Sequence, residues 1–136
     1  MKKLAPYLSF GGNCEQALNF YKECFGGEFT LTRYGENPMP APDDFKQKIL
    51  HASFKSESIV FYASDHTPEH QIKNGDNITL SLEFADTVEQ EKIFKLLSSG
   101  GVVTMPLQDQ FWDAKFGMLT DRFGFIWLLN CEKSIK

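Results

Sequence analysis

The chain has 136 residues, a length suited to one compact domain that buries roughly two-thirds of its unfolded surface. Its 14 Lys and Arg against 18 Asp and Glu give a net charge of −4 with the signs interspersed, which argues against nucleic acid or an anionic membrane as the main partner. The apolar stretch behind Lys2 and Lys3 stops at Gly11 and Gly12, so neither a signal peptide nor a membrane span fits, and three cysteines are too few for a disulfide scaffold; a cytoplasmic address is expected.

From the N-terminus, residues 5–10 alternate, with Leu8 and Phe10 on one face and Tyr7 and Ser9 on the other, the period of a half-buried strand. Asn13, with Gln16 three residues later in a capping-box relation, predicts a helix whose stripe of Ala17, Leu18, Tyr21 and Phe25 ends at Gly26 and Gly27. Strands are predicted over 28–34, 49–54 and 58–63. Residues 35–44 carry Pro38, Pro40 and Pro42 and read as an extended, mobile loop, a candidate lid. Within 49–54, Leu50, Ala52 and Phe54 alternate with His51 and Ser53. His51 on that polar face is either a half-exposed strand histidine or an acid/base or hydrogen-bond donor that titrates near neutrality.

The segment after residue 65 is rich in turn formers and reads as a linker over 66–76. Residues 78–84 then alternate again, with Leu80, Leu82 and Phe84 against Thr79, Ser81 and Glu83. Thr87 and Gln90 form a second capping box, Gly100 and Gly101 a second helix end, and strands follow over 102–107, 111–119 and 125–130. The second half repeats the first: residues 10–27 overlie residues 84–101 without a gap, and Phe10/Phe84, Glu15/Glu89, Gln16/Gln90, Phe20/Phe94, Gly26/Gly100 and Gly27/Gly101 are identical. The fold class is therefore α+β, two tandem βαβββ modules at about 4–65 and 77–131 whose curled mixed sheets surround a cleft within one domain, 1–136.

Cys14 and Cys24 lie on one predicted helix about 15 Å apart along its axis, too far for a disulfide. Cys14 is either a buried small hydrophobe or, near a helix N-terminus, a thiol with a lowered pKa. His66 and His70 are four apart, but Pro68 between them disfavours helical ligand geometry; a loop site with Asp65 or Glu69 is the alternative to a solvated linker.

Six ordered segments, GGNCEQALNFYKECFGG, HASF, YASD, NITLSLEF, GGVVTMPLQDQFWDAKFG and LTDRFGFIWLLNC, together resemble the PhnB-like branch of the vicinal oxygen chelate superfamily, which includes glyoxalase I, bleomycin-resistance proteins and extradiol dioxygenases. In metal-dependent members, the resemblance implies, the ligands are His, Gln or Glu from the first and last strands of each module. Here those positions fall near Ala5, Thr79, Phe61 or Tyr62, and Leu128, none of which is an imidazole or carboxylate. No cofactor or metal ligand is predicted, with a divalent metal the minor alternative. PhnB-like sequences often carry a ubiquinone-pathway methyltransferase label, yet no G-x-G-x-x-G turn follows any strand, so a SAM-type methyltransferase is not expected.

With helices on the Leu8/Phe10 and Leu80/Leu82/Phe84 faces, the opposite faces should carry the ligand. They supply Tyr7, Ser9, Ser53, Thr79, Ser81, Trp112, Phe116, Leu128 and Asn130, with Glu83 and His51 as candidate acid/base groups. Glu83 is otherwise an exposed strand charge, and Trp127 plain core or interface packing. Two functions follow. One is a metal-independent protein that binds a small or planar organic ligand; the other is a lyase or isomerase, acid/base or metal-dependent, on a small oxygenated substrate. Sheet edges left to cover predict a homodimer, with Phe111, Trp112 and Trp127 available to bury.

Overall fold

The computed structural model describes residues 2–38 and 40–133. It divides into two compact units, Met1–Lys73 and Asn74–Lys136. The first runs β1 (Tyr7–Phe10), α1 (Cys14–Phe25), β2 (Glu28–Arg33), β3 (Ile49–Ser56) and β4 (Ile59–Asp65); the second runs β5 (Leu80–Phe84), α2 (Thr87–Ser98), β6 (Val102–Gln110), β7 (Ala114–Thr120) and β8 (Ile126–Glu132). Each is βαβββ, as the repeat predicts. The sheet orders are β1-β4-β3-β2 and β5-β8-β7-β6, the first strand of each unit pairing parallel to its last and all other pairs antiparallel. These mixed sheets with one helix apiece are the expected α+β architecture.

Alternation decides which side of each sheet the helix covers. In the first unit Leu8, Phe10, Ala52, Phe54, Phe61 and Ala63 are buried. The rings of Tyr21 and Phe25 on α1 pack on Phe61 and Phe54 at 5.6 and 6.4 Å between centroids. The residues between them, Tyr7, Ser53 and Tyr62, therefore face away. In the second unit Leu129, Leu119 and Trp127 are buried beneath α2, and a β-carbon on Gly117 would press on Phe94 of that helix, so Phe116 and Met118 point to the opposite side.

Both helix starts differ from the predicted capping boxes. The Asn13 side chain makes no cap hydrogen bond. Asp65 at the end of β4 takes over: Oδ1 accepts from the backbone N–H groups of Gly12 and Cys14, and Oδ2 accepts from Ile49 N, all at 2.9 Å. A carboxylate offers more acceptor sites than an amide, so one buried group serves three donors where Asn13 could serve fewer. In the second unit Asp86, not Thr87, is the cap, accepting from Glu89 N at 2.8 Å; Thr87 is already the first helical residue. Gln90 is free to turn inward, where its amide donates to the carbonyls of Lys115 and Leu129. Its repeat partner Gln16 is exposed.

The proline segment holds two 3-10 turns, Tyr34–Glu36 and Asp43–Phe45, rather than extended chain alone, and Met39 lies outside the described residues. Its ends are held by backbone bonds from Tyr34 to Lys48 and from Gly35 to Lys46, by Phe45 buried edge-on to Tyr34 at 4.9 Å, and by Arg33, which grips Glu15 with both guanidinium nitrogens and also donates to the Gln47 carbonyl. That grip lowers the Glu15 pKa. Both partners keep solvent exposure, so the pair positions the segment more than it stabilises the fold.

The glycines shared by the two copies have a steric cause. A β-carbon on Gly27 (φ 83°) would collide with the Lys55 carbonyl and Ser56, and one on Gly101 with the Thr120 carbonyl and Asp121. In both units the chain leaving the helix grazes the corresponding point of the third strand. Gly27→Ala and Gly101→Ala are each expected to cost about 2 to 3 kcal/mol in urea denaturation. Gly26→Ala, at φ 74° with nothing within 4 Å, should cost only about 1 kcal/mol. Equal losses at all three positions would contradict the collision argument.

Candidate functional site

Cross-strand register assembles the helix-free face of each unit. In the first, Tyr7, Tyr62, Ser53 and Thr30 form one row across β1, β4, β3 and β2, and beyond it Ser9 pairs with Ser64 and His51 with Thr32. The Tyr7 hydroxyl lies 3.3 Å from His51 Nδ1, and the His51 ring stacks on Tyr62 at 5.8 Å and 25°. Tyr7 and Tyr62 are 6.4 Å apart, and Lys3 Nζ sits 5.6 Å from the Tyr62 ring centroid. This face is rich in hydroxyl donors, with aromatic rings at one end. Beneath it, Tyr34 donates to the Asp65 carbonyl at 2.7 Å, and burial, then the Asp65 charge, then Tyr7 raise the Tyr34 pKa.

The second unit builds a different surface on the same frame. Ser81, Leu128, Met118 and Met105 form one row, and Glu83, Asn130, Phe116 and Gln108 the next. Glu83 is exposed, as the strand-charge reading of it expects, and its carboxylate accepts from two neighbours: Asn130 Nδ2 donates to Oε1 at 3.0 Å and the Ser81 hydroxyl to Oε2 at 3.2 Å. Asn130 Oδ1 is enclosed and has no hydrogen-bond donor among the described residues. Trp112, in the β6–β7 turn and 48% exposed, meets Phe116 edge-on at 5.8 Å.

The structure thus brings Tyr7, His51 and Ser53 together in one unit, with Ser9 one row on, and Ser81, Glu83, Asn130, Leu128, Phe116 and Trp112 together in the other. Thr79 precedes β5 and is exposed. Trp127 belongs to the core: it is buried, and its indole donates to the Asp121 carboxylate at 2.8 Å, so it is not available to an interface. Between Phe61 and Tyr62, Phe61 is buried against α1 and Tyr62 lies on the open face. Sequence reasoning missed Thr30, Thr32, Ser64, Met105, Gln108 and Met118. Their alternation was visible, but the register that aligns them with β1 or β5 was not.

The residues near which the resemblance puts the superfamily's metal ligands, Ala5, Thr79, Phe61 or Tyr62, and Leu128, include no imidazole or carboxylate. Among the described residues no three His, Cys, Asp or Glu side chains gather as a metal site. His66 and His70 stack at 4.6 Å beyond β4. Asp65 is turned instead toward the backbone N–H groups of Gly12, Cys14 and Ile49, and Glu69 accepts from Thr67.

The reactive reading of Cys14 is overturned: burial first, then the charges of Asp65 and Glu15, push its thiol far above the ordinary range. Cys24 and Cys131 are buried too. An unfolded thiol ionises near about pH 8.5. Folding keeps Cys14 protonated, so that part of the stability is complete below about pH 8 and is lost as pH rises past it. All three thiols are expected to resist a disulfide reagent at pH 8 and to react together in urea; rapid labelling of one thiol per folded chain would contradict this.

Paired βαβββ units of this kind define the glyoxalase/bleomycin-resistance/dioxygenase fold. An enzyme of that family from Burkholderia phytofirmans shares it with a TM-score of 0.65, at 12% identity over 93% of this chain and 97% of that one. More narrowly, residues 2–130 match the family model described as 3-demethylubiquinone-9 3-methyltransferase, and the chain belongs to that PhnB-like family. The crystal structure of protein PA1353 from Pseudomonas aeruginosa is similar at 40% identity and a TM-score of 0.87, covering 97% of this chain and 98% of that one. A PhnB protein from Bacillus cereus is similar at 27% identity and a TM-score of 0.81, covering 96% and 99%.

Proposed function

We propose that this chain is a small-molecule-binding protein that works without the superfamily's metal and takes a small or planar organic ligand on the helix-free faces of its sheets. The carrying observation is Glu83, held by Ser81 and Asn130 in the same row as Phe116: a positioned polar group beside an apolar surface, the usual composition of a ligand site. The donor chemistry at Tyr62, Leu128, Thr79 and Ala5 supports the metal-free reading. Methyl transfer, which the family description names, has little support here. The strands form two mixed four-stranded sheets rather than one doubly wound parallel sheet, and no Gly-rich dinucleotide-type turn follows a strand.

A second reading rests on the same carboxylate. A base needs a fixed position, and Glu83 has one, so acid/base lyase or isomerase chemistry on a small oxygenated substrate, with His51 as a further candidate, is the alternative. We further propose a homodimer in the cytoplasm. Phe111, 96% exposed at the β6–β7 turn, together with exposed Val102 and Val103 on the edge strand β6, supplies apolar surface to cover. No helix among the described residues is long and apolar enough to cross a membrane.

A thermal-shift screen of metabolites and aromatic compounds should yield ligands whose binding is unchanged by chelator, and elemental analysis after dialysis should find less than stoichiometric Zn²⁺, Ni²⁺ or Mn²⁺. One equivalent of retained metal that is required for binding would overturn the metal-free reading. Sedimentation at tens of micromolar, an order-of-magnitude choice for weak association, should show a dimer that Phe111→Ser weakens; a monomer throughout would remove that element.

A further inference from the structure

The open face of the second unit is acidic and poor in donors. Its two rows contain Ser81, Glu83, Asn130, Gln108 and a set of apolar side chains, but no Lys or Arg. Glu83 makes no ion pair among the described residues. The basic side chain nearest in register, Lys115, belongs to the adjoining row and reaches to the helix side, where it pairs with Glu91 of α2 at 2.6 Å. Glu132, two residues beyond Asn130, adds a second carboxylate on the same side of β8.

The hydrogen-bond inventory has the same sign. Ser81 and Asn130 spend donors on Glu83, whose two oxygens keep lone pairs to spare. A ligand that matches this inventory brings hydrogen-bond donors, and beside a carboxylate a charged N–H donor is the strongest. Two strand spacings, about 10 Å, separate Glu83 from Phe116 along the row. Phe116 and Trp112 make an aromatic corner there, and Met118 and Met105 are pliant apolar neighbours in the next row. The first unit has Ser9 and Ser64 at the positions of Glu83 and Asn130, so the combination of a carboxylate and an aromatic corner belongs to the second copy alone.

We propose that this face binds an organic cation with a flat apolar body, the ammonium or amidinium group at Glu83 and the body lying over Leu128 and Met118 toward Phe116 and Trp112. The proposal rests on the small-molecule reading above and gives that ligand its chemical class. A cation beside aromatic rings also gains from their negative faces.

The test uses three matched probes on the full chain, naphthylmethylammonium, naphthylmethanol and naphthoate, titrated while amide resonances of both units and tryptophan fluorescence are followed. The ammonium probe should bind about tenfold or more tighter than the alcohol, a charged hydrogen bond being stronger by that order, and naphthoate weakest, with shifts centred on residues 81–83, 116–118 and 128–130. Glu83→Gln should abolish the preference while changing alcohol affinity less than about threefold, which also reports that the face is intact. Glu83→Lys should turn the preference toward naphthoate. Equal affinity for ammonium and alcohol, an unchanged preference in Glu83→Gln, or shifts centred on the first unit would overturn the cation assignment and leave small-molecule binding standing. Failure of all three probes to perturb either unit at millimolar concentration counts against the cation assignment, and small-molecule binding then stands or falls with the broader screen.

Discussion

The first unit is tied together by one buried carboxylate. Asp65 closes β4, caps α1 through Gly12 and Cys14, and fixes the start of β3 through Ile49, so three elements that meet nowhere else in sequence share one acceptor. Removing it would leave buried N–H groups without partners, each worth about 1 to 3 kcal/mol. The same charge contributes to keeping Cys14 protonated, behind the larger effect of burial. On the other side of β4, the strand that Asp65 terminates carries Tyr62 into the row with Tyr7. The second unit has no carboxylate at that register position: Cys131 pairs with Phe84 where Asp65 pairs with Phe10. It relies instead on Asp86 for the helix cap and on Asp121, whose carboxylate accepts from Phe123, Phe125 and the Trp127 indole in the turn before β8.

The two copies show how a repeated scaffold separates structure from chemistry. What they share is steric: the Phe10/Phe84 pair, the helix, and Gly27/Gly101 where the chain passes too close to the third strand for any side chain. What they do not share is the open face. Tyr, Ser and His in one unit correspond to Ser, Leu, Glu, Asn, Met and Phe in the other, since a residue pointing away from the helix can change without disturbing the core. Even identical residues have parted. Gln90 is wholly buried and ties α2 to two carbonyls of the sheet, while Gln16 faces solvent.

Much of this was legible beforehand because period-2 and period-3.6 patterns are local. Eight strands and two helices appear in the predicted order, and Leu8, Phe10, Leu82 and Phe84 were assigned to the helix side from alternation alone. The caps were not legible, because Asp65 acts across about fifty residues of sequence, and a side chain brought in by another strand leaves no mark near the helix it caps. Asn13 followed by Gln16 satisfied the local pattern without performing the role. The site was half legible. Alternation put His51, Ser53, Ser81 and Glu83 on open faces, whereas the rows linking Glu83 to Phe116 and Tyr62 to Tyr7 depend on register, which bulges in β2 and β6 also displace.

The parallel pairing of first strand to last has a consequence for how the chain is made. β1 finds its hydrogen-bonding partner only in β4, and α1 finds its capping acceptor only in the final residue of that strand. During synthesis the N-terminal strand and helix must therefore wait, one edge unpaired and one helix end unsatisfied, until residue 65 is delivered. The strand that completes the sheet also supplies the cap, so both contacts carry the same long sequence separation. The second unit repeats the delay for β5, which pairs with β8, but Asp86 caps α2 from the adjacent residue, so its helix can form before its sheet is complete. Two halves of one repeat thus differ in how local their helix caps are.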